Sequence, residues 1–235
     1  LFDLGISKKD MALIAQKVEH QYAGTPCGIM DQYAILFGKQ EAALYLNCQT
    51  LEHKLIDISL TDFQWVLFNS NVKHNLSDSA YLKRVKETKK ALSIIQSEFP
   101  HYTHLAKVSL KSLKKCKTKM DNKVYNRALY VIEEQNRVEQ VVSMIAQYKF
   151  HEVGEMLYQS HYGLSSLYDV SCAELDYLVE ITQSLTGVLG ARMMGGGFGG
   201  CTLNLIQRTK VDSSIETVCS QFKKQFHRDC SPILL

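Results

Sequence analysis

The chain is short of the features that mark the more specialised classes of protein. No apolar run is long enough to cross a bilayer, and none reads as a secretory signal. Charge of one sign is also missing: 27 Lys and Arg against 24 Asp and Glu leave a net +3, too little to argue for a nucleic-acid partner. Lys107, Lys111, Lys114, Lys115, Lys117, Lys119 and Lys123 do cluster. No aromatic residues are interleaved with them as stacking platforms, so the cluster reads as a solvated face. The seven cysteines are odd in number and contain no C-x-x-C, which argues against a disulfide framework or zinc site and for a reducing, cytoplasmic setting. No internal repeat or low-complexity stretch occurs. What remains is ordinary: 235 residues, 46% hydrophobic and 22% charged, enough for one large domain or two smaller ones with a sizeable core. The chain starts at Leu1 rather than Met and ends abruptly at PILL (232–235), so it is expected to be part of a longer protein.

Periodicity sorts the chain into helices and strands. ISKKDMALIAQKVEHQY (6–22) reads as a helix, with Ser7 and Asp10 as a capping box and Met11, Ile14, Ala15, Val18 and Tyr22 on one apolar face. Glu19 lies at the edge of that face. AGTPCG breaks the helix, and GIMDQYAILFG (28–38) starts a second, short one with Asp31 in its opening turn. EAALYLNCQ, HKLIDISL and FQWVLFNS read as strands. SDSAYLKRVKETKKALSIIQSEF reads as a helix capped by Ser77 or Ser79 and ending before Pro100, followed by a lysine-rich, turn-prone stretch. Helices are expected over 123–148, 151–168, 173–186 and 214–226, and strands at VLGARMM and CTLNLIQ. The mixture predicts an α+β fold with a helix-rich second half.

Between those last two strands lies GGGFGG, five of the chain's 13 glycines in six positions: Gly195, Gly196, Gly197, Gly199 and Gly200. The spacing formally matches a dinucleotide fingerprint, but that motif needs a helix directly after it, and CTLNLIQRTK is β-prone. No lysine follows the last glycine, so it is not a Walker A loop either. A tight strand connection needs one or two glycines, not five. The excess points to close approach between the backbone and something else, a ligand or a catalytic segment.

GARMMGGGFGGC resembles the third signature motif of the galactokinases, members of the GHMP small-molecule kinases. PCGIMDQ (26–32) resembles the segment carrying their catalytic aspartate, and NSNVKH (69–74) and YDVSCAELD (168–176) fall in the matching order. The resemblance runs nearly end to end. It implies transfer of the γ-phosphoryl of Mg-ATP to the anomeric hydroxyl of galactose, with small molecules as partners rather than nucleic acid or membrane, and a monomer. By motif position Asp31 resembles the proton acceptor, a role that suits a carboxylate near a helix N-terminus, which favours the ionised form. Glu19 falls where the family places a magnesium-binding carboxylate, Gly28 where a backbone amide meets the sugar, and Tyr81 where a hydroxyl contacts galactose. Read without the resemblance, Asp31 is a helix-start carboxylate that stabilises the dipole, while Glu19 could be a surface glutamate and Tyr81 a partly buried helix tyrosine. Phe198 is expected as the anchor of the glycine loop, which would support the catalytic aspartate and the nucleotide loop.

Met194 departs from the family, which usually has Thr there, and altered packing next to the loop is expected. The family's first signature, with a transition-state arginine, and its second, a Gly/Ser-rich phosphate loop, would lie upstream of Leu1; its final strand would lie after Leu235. The resemblance further implies the tail of an S5-like N-terminal domain over residues 1–62 and a ferredoxin-like C-terminal domain with added helices over 63–235, with the site in the cleft between them. Two other readings stay open: an N-acetylgalactosamine kinase, or a non-catalytic sensor that binds sugar and nucleotide without turnover.

Overall fold

A computed structural model describes residues 5–24, 27–58, 60–72 and 77–235, with the side chains of 77–79 set aside. Pro26 of PCGIMDQ, Lys73 and His74 of NSNVKH, and the caps expected from Ser77 or Ser79 lie outside the described residues. The chain divides into two compact units, Leu1–Leu60 and Thr61–Leu235.

In the first unit, α1 (Lys8–Gln21) starts where the capping box predicts: the Asp10 amide donates to Ser7 Oγ at 3.1 Å, and the Ser7 hydroxyl donates to the Asp10 carboxylate at 2.6 Å. α2 (Met30–Phe37) follows, then an antiparallel hairpin of β1 (Ala42–Leu46) and β2 (His53–Asp57). A small core joins them, built on Ala12, Ile29 and Tyr33 with Leu36, Phe37, Leu44, Leu46 and Leu51 around it. Tyr33 is its pin. The ring stacks on Phe37 with centroids 4.6 Å apart, and the hydroxyl donates to the Leu51 carbonyl at 3.0 Å. The apolar face expected of α1 is not buried by these elements: α2 and the hairpin take the Ala12 side, and Met11, Ile14, Val18 and Tyr22 remain exposed.

The second unit holds a four-stranded antiparallel sheet of β3 (Phe63–Asn69), β4 (Val188–Met193), β5 (Cys201–Gln207) and β6 (Ser231–Leu234) in the order β4-β5-β3-β6. With helices between β3 and β4 and again between β5 and β6, this is a split β-α-β-β-α-β arrangement. One sheet face packs on α7 (Ala173–Gln183) and α8 (Val211–Phe226), where Val66, Phe68, Leu178, Ile206, Val218 and Phe222 form the core. Alternation along β3 puts Val66 and Phe68 on that face, and three- to four-residue spacing along α8 does the same for Val211, Ser214, Val218 and Phe222. A second core of Ala91, Ile95, Leu113, Ala128 and Ile132 joins α3 (Ser77–Glu98), α4 (Leu110–Lys115) and α5 (Asn122–Ala146). The lysine-rich stretch is not merely loop. It forms α4, capped by Ser109, and short 3-10 turns at Leu105–Lys107 and Lys117–Lys119, with its lysines exposed as expected.

The last strand corrects the sequence reading. A strand does follow the final helix within these residues: β6 pairs with β3 from Asn69↔Ser231 to Val66↔Leu234. It is an edge strand, the place where Pro232 is tolerated in a sheet. α6 (Phe150–Tyr162) lies so close to β4 that a Cβ on Gly154 would stand 2.2 Å from the Leu189 carbonyl oxygen. α6 widens into a π-type turn at Gly163–Tyr168, and the chain leaves through Asp169 at φ +59.

Candidate active site

Three predicted site residues share the first unit. The Cys27 carbonyl accepts from Gln16 Nε2 at 3.2 Å and from the His20 ring at 2.8 Å, so the last turns of α1 hold the segment that leads into α2. Glu19 is exposed and lies one turn beyond Gln16, on the flank of the same helix face. Asp31 is the second residue of α2 and exposed. A side chain added at Gly28 would meet nothing within 4 Å. The local fold therefore leaves a carboxylate and bare backbone side by side, open to a ligand.

Tyr81 and the glycine loop belong to the second unit. The loop joins β4 to β5, and its glycines serve two purposes. At Gly197, φ is +85 and a Cβ would stand 2.0 Å from the Val170 carbonyl oxygen; at Gly199, φ is +141 and a Cβ would stand 2.7 Å from the Val72 carbonyl oxygen. Both are buried, and no side chain fits. Gly195 and Gly196 are exposed with nothing within 4 Å, and Gly196 does not have a positive φ. Phe198 lies between the buried pair and packs against the core cluster formed by Tyr130, Leu164, Val170, Leu175 and Met193, as the anchor expected of it. Its amide donates to the Val170 carbonyl at 2.7 Å. Gly200 is fixed from β3, its carbonyl accepting the Ser70 amide at 2.9 Å and the Ser70 hydroxyl at 2.8 Å. Met194, next to the loop, exposes its side chain.

Sequence reading missed the residues behind the loop. Arg84 and Arg127 are buried and converge on Asp169 and Glu87, next to the Tyr168–Val170 turn. Tyr81 lies one turn before Arg84 on α3; burial, and then the nearby Tyr81, push the Tyr168 phenol above its ordinary pKa. His161 of α6 accepts the Met193 amide on Nδ1 at 3.2 Å, which fixes its proton on Nε2, 3.1 Å from Asp176 Oδ1. Burial pulls the Asp176 carboxyl up, but the nearby His161, Ser171 and Ser165, whose hydroxyl donates to Asp176 Oδ2 at 3.0 Å, outweigh it and leave the pKa lowered. The one available signal was YDVSCAELD, which carries both Asp169 and Asp176. A cleft of about 690 Å³ lined by Glu133, Arg137, Tyr158, Gln159 and Tyr162 contains none of the predicted site residues.

Comparison with known proteins follows the same lines. The N-terminal domain model of the GHMP kinases matches residues 1–39, and the C-terminal model matches residues 129–224. A galactokinase of Clostridium tetani is 36% identical over 220 residues, covering 93% of this chain and 56% of the relative. One from Thermotoga maritima is 34% identical over 228 residues, covering 97% and 63%. The crystal structure of Lactococcus lactis galactokinase complexed with galactose matches with a TM-score of 0.95 at 31% identity, over 100% of this chain and 60% of that one. L. major mevalonate kinase, at 17% identity and a TM-score of 0.60, shares the fold. The chain thus spans between 56% and 63% of the length of the galactokinases named. On these matches the chain belongs to the GHMP kinases, and the relatives it follows along nearly all its length are galactokinases.

Proposed function

We propose that the protein to which this chain belongs transfers the γ-phosphoryl group of ATP to the anomeric hydroxyl of galactose. The observation that carries the reading is Gly196. It is exposed and uncrowded, and its φ is not positive, so the fold gives no reason for the missing side chain. An outside molecule that approaches the main chain does. Galactose as substrate rests on the galactokinase relatives and on the galactose in the L. lactis complex.

In this reading Asp31 accepts the sugar hydroxyl proton as the sugar oxygen bonds to the γ-phosphorus and the bond to the ADP oxygen breaks. The Gly28 amide and the Tyr81 hydroxyl bind the sugar, and Gly195–Gly196 leave room for the substrates. Glu19, an exposed hard-oxygen donor, is the residue that would help hold a magnesium ion beside the nucleotide. When bound, magnesium neutralises phosphate charge. The test is made in the full-length protein. Asp31→Asn should lower kcat by about a thousandfold with an unchanged melting temperature. Tyr81→Phe should raise the galactose KM about tenfold, the equivalent of one good hydrogen bond. Wild-type-like turnover by Asp31→Asn would remove the assignment.

A further inference from the structure

The glycine loop does not set its own position. It rests on Val170, whose carbonyl accepts the Phe198 amide at 2.7 Å and sits where a Cβ on Gly197 would be. Val170 follows Asp169, a non-glycine residue in the left-handed region at φ +59. Such a conformation persists when its surroundings over-determine it, and here two arginines do so. Arg84 Nη2 donates to the Asp169 carbonyl at 2.6 Å and to its carboxylate at 2.7 Å, and Arg84 Nε reaches the same carbonyl at 3.2 Å. Arg127 donates to the Leu167 carbonyl through Nη1 and to the Asp169 carboxylate through Nη2 at 2.8 Å. Glu87 ties the two together, accepting from Arg84 at 3.1 Å and Arg127 at 3.0 Å. The arginines are 6% and 4% exposed, so neither guanidinium is available to bind a ligand from solution. Their donors are divided between main-chain carbonyls and the carboxylates of Asp169 and Glu87, a task that suits a rigid fork.

We propose that Arg84 and Arg127 are positioning residues: through Asp169 and the Val170 carbonyl they hold the glycine loop in place. They tie it to α3, the helix that carries Tyr81. The inference rests on the proposed phosphoryl transfer only for its kinetic consequence; its structural half stands alone.

The test uses the full-length protein with Arg127→Lys, which keeps the charge and loses the fork, and Asp169→Asn, a milder change at an exposed side chain. Hydrogen exchange should speed up about tenfold at the Phe198 amide and in the peptide over 163–172, while α8 and β3 stay as in wild type. In Arg127→Lys, kcat should fall about a hundredfold with the galactose KM within about twofold, the effect of a loop misplaced by an ångström or so. Asp169→Asn should show the same pattern more weakly. Unchanged Phe198 exchange in both variants overturns the proposal. So does exchange that rises equally in every peptide, which would mark a merely structural role. Should Arg127→Lys fail to fold, Asp169→Asn decides alone. If the wild-type protein does not phosphorylate galactose, the functional reading falls while the exchange result still decides this one.

Discussion

Gly196 and Gly197 are neighbours that lack side chains for opposite reasons. Gly197 has φ +85 and the Val170 carbonyl in the space of its Cβ, whereas Gly196 has neither constraint. Gly197→Ala should therefore cost stability, about 2–3 kcal/mol or more from backbone strain and displacement of Val170. Gly196→Ala should leave stability within about 0.5 kcal/mol, as surface substitutions usually do, yet impair turnover. Chemical denaturation together with steady-state kinetics separates the two effects. A Gly196→Ala enzyme with wild-type kcat and KM would mean that nothing approaches the backbone there. The sequence showed the glycine run and its excess over what a turn needs. It did not show which glycines answer to the fold and which to a ligand, because that depends on Val170 and Val72, residues far away in the chain.

Most helices and strands were legible because their burial follows a period that their own residues carry, as in Val66 and Phe68 on β3 or Val218 and Phe222 on α8. β6 was not: its four residues show no alternation, and its existence depends on β3 lying alongside. The buried arginines were illegible for a related reason, since arginine is mostly a surface residue and only its tertiary partners say otherwise. The His161–Asp176 link, which joins α6 to α7 and ends on the Met193 amide of β4, makes a prediction at this scale. The Asp176 carboxyl is pulled up by burial but held lower on balance by His161, Ser171 and Ser165. A carboxyl with a lowered folded pKa binds fewer protons in the native state. Its contribution is complete above the unfolded value, about 3.9, and disappears as pH falls through the lower folded value. Asp176→Asn should thus be less stable than wild type at neutral pH, with the gap closing in acid below that value. Urea midpoints taken from pH 7 downward measure it. A gap that stays constant with pH would show that the charge on Asp176 contributes nothing.

At the scale of the whole molecule, the apolar side of α1 is the feature left without a use. Ile14 is 51% exposed, Val18 48% and Tyr22 85%, and Met11 and Leu13 are exposed beside them. Neighbouring apolar residues left uncovered on one helix mark an interaction surface. The galactokinase relatives are longer, since this chain spans 56% of one and 63% of another, and the N-terminal domain model matches only residues 1–39. The additional length of those relatives is where a cover for α1 would be sought. A polypeptide of residues 1–235 alone should bind a hydrophobic dye through α1, lose much of that signal on Ile14→Glu with Val18→Glu at unchanged helix content, and show no ATP-dependent phosphorylation of galactose. In the full-length protein the same double change should instead lower the melting temperature. Turnover by residues 1–235 near that of an intact galactokinase, or a full-length protein indifferent to the double change, would show that α1 needs no cover and that the site is complete within these residues.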